Sequence, residues 1–376
     1  MRENRSMTES EKKLLGVLCK YPGISVKELL NYTEYKWMST VTRKLEQLKE
    51  RRILFGPYYF INLGKLCRNL LHRPVCTLEL NKSYDTVISY LKLVESLIWV
   101  FPVLSSHKRL LNASFYSSDD TKTRNLLQLL KENDIISDYI IRVRSHRNLL
   151  EYPNFFGDPN PPLNGLLNPC KCVDLTPAHY DTEWNECDMS VLPYFQRGQK
   201  LIDILRAERK LNRDWTYKQI RYSREKMVYS GLIGKHYIIP PFPPNQCVDF
   251  QLFLKPYDIT LTQRILQNFG KCARLYKECT ICEDGGIIFC KSHPLFLRDL
   301  MYKLDQIDQI EEKEFYHLRS ASDGNNFNQP AELKYFDFET QTLEYPYEVF
   351  EEKIREKLEN ELDEQNIQKG VINKIN

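Results

Sequence analysis

The chain has 376 residues, 42% hydrophobic and 12% aromatic, which excludes a disordered polymer and leaves room for several packed domains. The net charge of +3 hides a segregation: residues 1–66 hold 13 Lys/Arg against 7 Asp/Glu, and residues 188–240 hold 11 against 5, inside a remainder that is acidic. Two basic modules in an acidic chain imply two surfaces that face polyanions. No apolar run approaches the ~18–20 residues of a membrane span, and eleven cysteines behind a polar N-terminus point to a reducing cytoplasm with free thiols.

Residues 8–66 read as a winged helix-turn-helix. An amphipathic helix from Thr8 to Lys20 is stopped by Tyr21-Pro22-Gly23. Ser25 and Glu28 have the spacing of a capping box, which opens a short second helix. A third helix is expected from about Lys36 to Arg51, with Met38, Val41, Leu45 and Leu48 inward and Lys36, Ser39, Thr40, Arg43 and Gln47 outward. Ile53–Leu63 reads as a hairpin wing with Gly56-Pro57 in its turn.

Residues 70–150 follow a βαββαβ order, the ferredoxin-like split unit. Residues 151–186 carry six prolines and read as an extended, semi-rigid linker. Residues 187–242 then repeat the first pattern. Their third helix, opened near Asp214, is expected to turn Tyr217, Ile220 and Met227 inward and Lys218, Gln219, Tyr222 and Lys226 outward, with Arg221 on the flank. Arg224 stands where the first copy has Leu45. The wing segment from Ile233 to Ile239 echoes the one from Leu54 to Ile61 about 178 residues earlier, so a tandem duplication is expected. Residues 245–320 give a second βαββαβ pattern with a hairpin turn at Glu283-Asp284-Gly285-Gly286. Residues 321–376 form an extension whose acidic helix, Glu348–Gln365, carries Phe350, Ile354, Leu358 and Leu362 as a docking stripe. The expected fold class is α+β, with two winged helix-turn-helix domains alternating with two ferredoxin-like βαββαβ domains.

The third helices are suited to a DNA major groove, since Arg and Lys read guanine edges and Gln reads adenine. Base readout is assigned to Ser39, Thr40 and Arg43, and to Lys218, Gln219 and Tyr222, with Gln47 and Lys226 as further DNA-facing residues. Phosphate contacts are assigned to Lys36, Lys44, Arg51, Arg52 and Arg221. Two cysteine-histidine groups have metal-like residue types: Cys170, Cys172, His179 and Cys187 in the linker, and Cys279, Cys282, Cys290 and His293 on strands. Buried free thiols are the reading preferred for both, and no cofactor is expected. No phosphate-cradling glycine loop, nucleophile elbow or His-Glu-x-x-His motif occurs, so no catalytic residue is assigned and a non-enzymatic protein is expected.

The stretch from Ser39 to Leu48, with the entry Ile53-Leu54-Phe55-Gly56, resembles the recognition helix and wing of the Lrp/AsnC family of archaeal and bacterial transcription regulators. Gln219-Ile220-Arg221-Tyr222 through Gly231-Leu232-Ile233-Gly234 resembles them less closely. The resemblance implies a cytoplasmic, archaeal, sequence-specific DNA-binding regulator. Its partners would be double-stranded DNA and an undetermined small-molecule effector, with no membrane. The usual family member carries one such unit, so a homodimer or an intrachain pseudo-dimer is implied. Two other readings stand beside it. One is a winged-helix protein-interaction scaffold without DNA binding. The other follows from family relatives that are haem-pathway decarboxylases, which act as pairs of similar units on a tetrapyrrole.

Overall fold

A computed structural model describes residues 7–144, 148–171, 173–176, 178–319, 327–330 and 332–372. In chain order its elements are α1 (Glu9–Lys20), α2 (Val26–Leu29), α3 (Met38–Glu50), β1 (Phe55–Ile61), α4 (Leu63–Leu66), β2 (Arg73–Leu80), α5 (Tyr84–Leu91), β3 (Leu97–Leu104), β4 (Leu110–Phe115), α6 (Asp120–Glu132), β5 (Ile136–Arg144) and β6 (Leu149–Glu151). They continue with α7 (Glu186–Gln196), α8 (Leu201–Lys210), α9 (Tyr217–Tyr229), β7 (Ile233–Ile238), β8 (Val248–Pro256), α10 (Ile259–Asn268), β9 (Tyr276–Cys282), β10 (Gly285–Ser292), α11 (Pro294–Asp305) and β11 (Ile310–Leu318). Short strands β12 (Phe327–Asn328), β13 (Phe336–Asp337) and β14 (Thr342–Leu343) precede α12 (Tyr347–Ile372). The fold is mixed α and β. It divides into two compact units, residues 1–68 with 144–318, and residues 69–143 with 319–376.

The first unit contains both three-helix modules. Capping boxes start α1 (Thr8 with Glu11), α2 (Ser25 with Glu28), α7 (Asn185 with Asp188) and α9 (Thr216 with Gln219), so each helix satisfies its orphan amides locally. The core of the first module is Leu14, Leu15, Leu18, Leu29, Val41, Leu48, Ile53 and Leu54. Met38 departs from the expected stripe: it is 51% exposed at the first position of α3. Tyr217, at the first position of α9, is likewise exposed rather than inward. Neither helix has a preceding turn to cover that position.

The wings do not fold as expected. Each module contributes a single strand, and β1 pairs antiparallel with β7 instead of closing its own hairpin. Tyr58 faces His236, Tyr59 faces Lys235, Phe60 faces Gly234 and Ile61 faces Ile233. Gly56-Pro57 therefore lies within a strand, at a bulge between Phe55 and Tyr58, and not in a turn. Gly56 sits at φ +103°, where a Cβ would stand 2.8 Å from the Tyr58 amide nitrogen, so only glycine fits the bulge. The pairing also sends Tyr237 and Ile239 into the core of the first module.

The described residues between 151 and 186 pack against both cores instead of forming an open linker. Phe155 joins the core of the first module, while Leu163, Leu166 and Leu175 join the core under the β8–β11 sheet. Burying these apolar groups outweighs the freedom of an open tether. That sheet is antiparallel in the order β11-β8-β10-β9, with a two-residue turn at Glu283-Asp284. Phe250, Leu252, Leu254, Ile265, Phe269, Phe296 and Leu300 form its core. Lys277 is fully buried there. Its Nζ donates to the Leu266, Gln267 and Phe269 carbonyls at 3.0, 3.1 and 2.6 Å and pairs with Glu151 at 2.8 Å, closing the C-terminus of α10.

The second unit has the strand order β3-β4-β2-β5 with α5 and α6. The extension completes this unit. β12 pairs with β3, and α12 buries Phe350 and Ile354, whereas Leu362 at the end of the expected stripe is exposed. The Tyr347 hydroxyl accepts from the Ser118 and Asp119 amides at 3.0 and 3.3 Å. Glu95 receives Tyr335 at 2.6 Å, Lys353 at 2.7 Å and also Lys334. Burial raises its pKa, but these donors outweigh burial and bring it down to about 2.

Candidate nucleic-acid interface

α3 presents two kinds of basic residue. Lys44 and Arg51, expected on phosphates, turn inward to Glu11. Glu11 is buried on α1, and its Oε1 lies 3.7 Å from Lys44 and 2.9 Å from Arg51. Its Oε2 accepts from the Thr8 amide at 3.0 Å. Burial alone would raise the Glu11 carboxyl, but the Thr8 amide, Arg51 and Lys44 outweigh it and hold it below the usual range. Lys36, Ser39, Arg43 and Arg52 are exposed, and none of the three cations makes an ion pair among the described residues; Thr40 and Gln47 are half-buried beside them. Arg52 adopts φ 56°, the left-handed residue that ends α3. The exposed start of this helix carries two large apolar groups: Trp37, 70% exposed, which sequence reasoning did not assign, and Met38, which it had placed inward.

The second module repeats the buried clasp with other residues. Asp188 stands at the same capping position of α7 as Glu11 does in α1, and its Oδ2 accepts from Lys226 Nζ at 2.6 Å. Lys226 also donates to the Glu183 carbonyl at 2.6 Å and lies over the Trp184 ring. It is therefore a support for the helix pair and not an outward reader. Gln219 is committed too, because its Oε1 accepts from the Thr216 amide and hydroxyl at 2.8 Å each. Arg221 pairs with Glu225 at 3.4 Å. A second buried acid, Glu208, accepts from Arg213 and Trp215, each at 3.1 Å. This leaves Lys218 and Tyr222 exposed, beside a groove of about 420 Å³ lined also by Asn185, Cys187, Trp215 and Ser223. The acids that hold both modules were missed by sequence reasoning, although Thr8-x-x-Glu11 and Asn185-x-x-Asp188 have the same spacing as the capping box at Ser25.

Between the modules, Arg224 donates to the Tyr59 hydroxyl at 2.9 Å. On the other face of the β1–β7 ribbon, His236 packs 5.9 Å from the rings of both Tyr58 and Phe60. Burial lowers its pKa against the opposing field of Glu278, and its Nδ1 is buried without a hydrogen-bond partner.

The cysteine-histidine groups behave as separate side chains. Cys170 lies beside Gln267, Cys187 is buried against the Ser223 hydroxyl, His179 is exposed, and Cys172 lies outside the described residues. Cys279, Cys282 and Cys290 are buried free thiols, and burial pushes Cys279 up to about 12. Among the described residues no three His, Cys, Asp or Glu side chains come together as a metal site. No described helix is long and apolar enough to cross a membrane.

No protein-family model and no curated protein matches this chain. Solved structures do. Two of the siroheme decarboxylase NirDL, one with an iron-uroporphyrin III analogue, cover 94% of this chain and 100% of their own, at 12% and 11% identity and TM-scores of 0.48 and 0.49. AsnC of E. coli covers 37% of this chain and 92% of its own, at 13% identity and a TM-score of 0.29. A Pyrococcus furiosus regulator of the AsnC family covers 37% and 89%, at 18% identity and a TM-score of 0.25. The chain is thus similar to Lrp/AsnC regulators over part of its length and to an enzyme over nearly all of it, at identities that assign no activity. They do correct one expectation: with an enzyme matching across 94% of the chain, the non-enzymatic assignment does not stand.

Proposed function

We propose that this chain is a sequence-specific DNA-binding regulator of transcription, with α3 as its principal reader and α9 as a second arm. The observation that carries the reading is the division along α3. Lys44 and Arg51 are held by Glu11, while Ser39 and Arg43 project into solvent from a helix whose opposite side is packed, and Lys36 is exposed just before it. A major groove admits such a helix, and its N-terminal residues meet base edges. Trp37 and Met38 add apolar surface where thymine methyl groups lie. In this reading the three-helix modules are the winged helix-turn-helix domains, and both four-stranded layers have the ferredoxin-like strand order.

Retardation of duplex DNA across a salt series tests the proposal. The logarithm of the binding constant is expected to fall with the logarithm of salt by about 0.9 per phosphate contact. Absence of retardation, or a flat salt response, overturns it.

A catalytic role is the second reading, favoured by His236. An imidazole whose buried Nδ1 has no hydrogen-bond partner, packed by two rings and facing the field of Glu278, has the surroundings of a functional group. An iron tetrapyrrole, the compound class named for the full-length matches, is the probe. Loss of carboxyl groups from that probe, abolished in His236→Ala, supports this reading; a colourless protein that leaves the probe intact counts against it.

A further inference from the structure

The β1–β7 pairing has the register of a two-fold contact. Tyr58 faces His236, the residue 178 positions later, and the strands run antiparallel on either side of that pair. Antiparallel pairing of two corresponding strands about corresponding residues is what an isologous interface between two copies would produce. Here it closes within one chain, so a single molecule carries two arms in a two-fold-like relation.

The arms are chemically unlike. α3 and α9 are each 13 residues long, and aligned from their first residues they match Val41 with Ile220 and Leu48 with Met227, all buried. The same alignment puts Lys218 where α3 has Ser39, and Tyr222 where α3 has Arg43. It also puts Gln219, bound in its capping box, where α3 has Thr40, and Lys226, bound to Asp188, where α3 has Gln47. Arg43 can offer two donors to guanine O6 and N7. Tyr222, 64% exposed, offers one hydroxyl and a ring, and Lys218 offers a point charge suited to phosphate. The two positions best placed to read bases therefore differ between arms.

Building on the DNA-binding reading, we infer that one chain recognises a duplex with two unlike half-sites. Arg43 reads a guanine in one half, and Lys218 and Tyr222 anchor the other with weak base preference. A homodimer with equal arms would instead select a palindrome.

Selection from a random-sequence duplex library with the full chain, followed by binding measurements on variants, tests this. The expected outcome is a non-palindromic motif bound by one chain per duplex. Arg43→Ala should weaken the selected site by about 5- to 100-fold and erase base preference in one half only. A joint Lys218→Ala and Tyr222→Ala variant should lower affinity for all duplexes alike and reduce the salt slope by about one contact. A palindromic motif bound by two chains, or an Arg43→Ala variant that blurs both halves equally, overturns the inference while leaving DNA binding intact. Absence of any retarded duplex removes both.

Discussion

Lys226 Nζ rests 2.6 Å from the carboxylate of Asp188, a fully buried acid on the first helix of its module. In the other module Arg51 makes the same clasp on Glu11 at 2.9 Å. Each clasp ties the third helix to the first, so part of the positive charge of each module serves its architecture.

Asp188→Ala should destabilise the first unit by about 3 kcal/mol, because it leaves a half-buried ammonium without its carboxylate. Chemical denaturation with a double variant, Asp188→Asn with Lys226→Met, should recover a good part of the loss. A single variant as stable as the parent would show that the pair contributes nothing.

Arg43→Ala and Arg51→Ala should separate reading from architecture. The first is expected to leave the unfolding midpoint within about 0.5 kcal/mol of the parent while weakening DNA binding. The second should cost about 1–3 kcal/mol, because the buried Glu11 carboxylate loses its nearest cation and keeps only Lys44 at 3.7 Å and the Thr8 amide. Equal stability losses in the two would refute the assignment of Arg43 to solvent.

Gly234→Ala should disrupt the joint between the modules. A Cβ there would stand 2.2 Å from the Phe60 ring, and overpacking of this kind costs about 1–3 kcal/mol. Phe60→Leu in the same chain should relieve it, a rescue that differential scanning calorimetry can register.

Acid should loosen the second unit through Glu95. Its folded pKa, about 2, lies below the ordinary value of 4.5, so the stabilisation is fully present above 4.5 and is lost as pH falls towards 2. Tryptophan emission during acid titration, with Trp99 in this unit as reporter, should show a transition that Glu95→Gln flattens in that window. An unaltered acid limb in the variant would exclude Glu95 as the cause.

Local signals in the sequence were dependable where one neighbourhood decided the outcome. The Ser25–Glu28 box and the Glu283-Asp284 turn depend on residues a few positions apart. The ribbon did not share that property. Phe55–Ile61 carries a β pattern, but nothing local tells a strand that its partner lies at Ile233–Ile238 rather than across its own Gly-Pro. The linker reading failed for a related reason, since six prolines outweighed Leu163, Leu166 and Leu175, whose burial depends on a sheet formed a hundred residues later. Among the site residues, exposure of Arg43 and Ser39 followed from helical spacing, whereas the diversion of Lys44, Gln219 and Lys226 required knowing which acid or cap lay beneath them.

The ribbon between β1 and β7 also sets a timetable for biosynthesis. The first module lacks Tyr237 and Ile239 from its core, and β1 lacks its neighbour, until translation has passed residue 239. At about 5–20 residues per second, the nascent chain carries that unfinished module for roughly 10–40 s after β1 emerges. A fragment ending near residue 66 should behave as that nascent species does, sticky and incomplete, so the amino-terminal arm is a product of the finished chain.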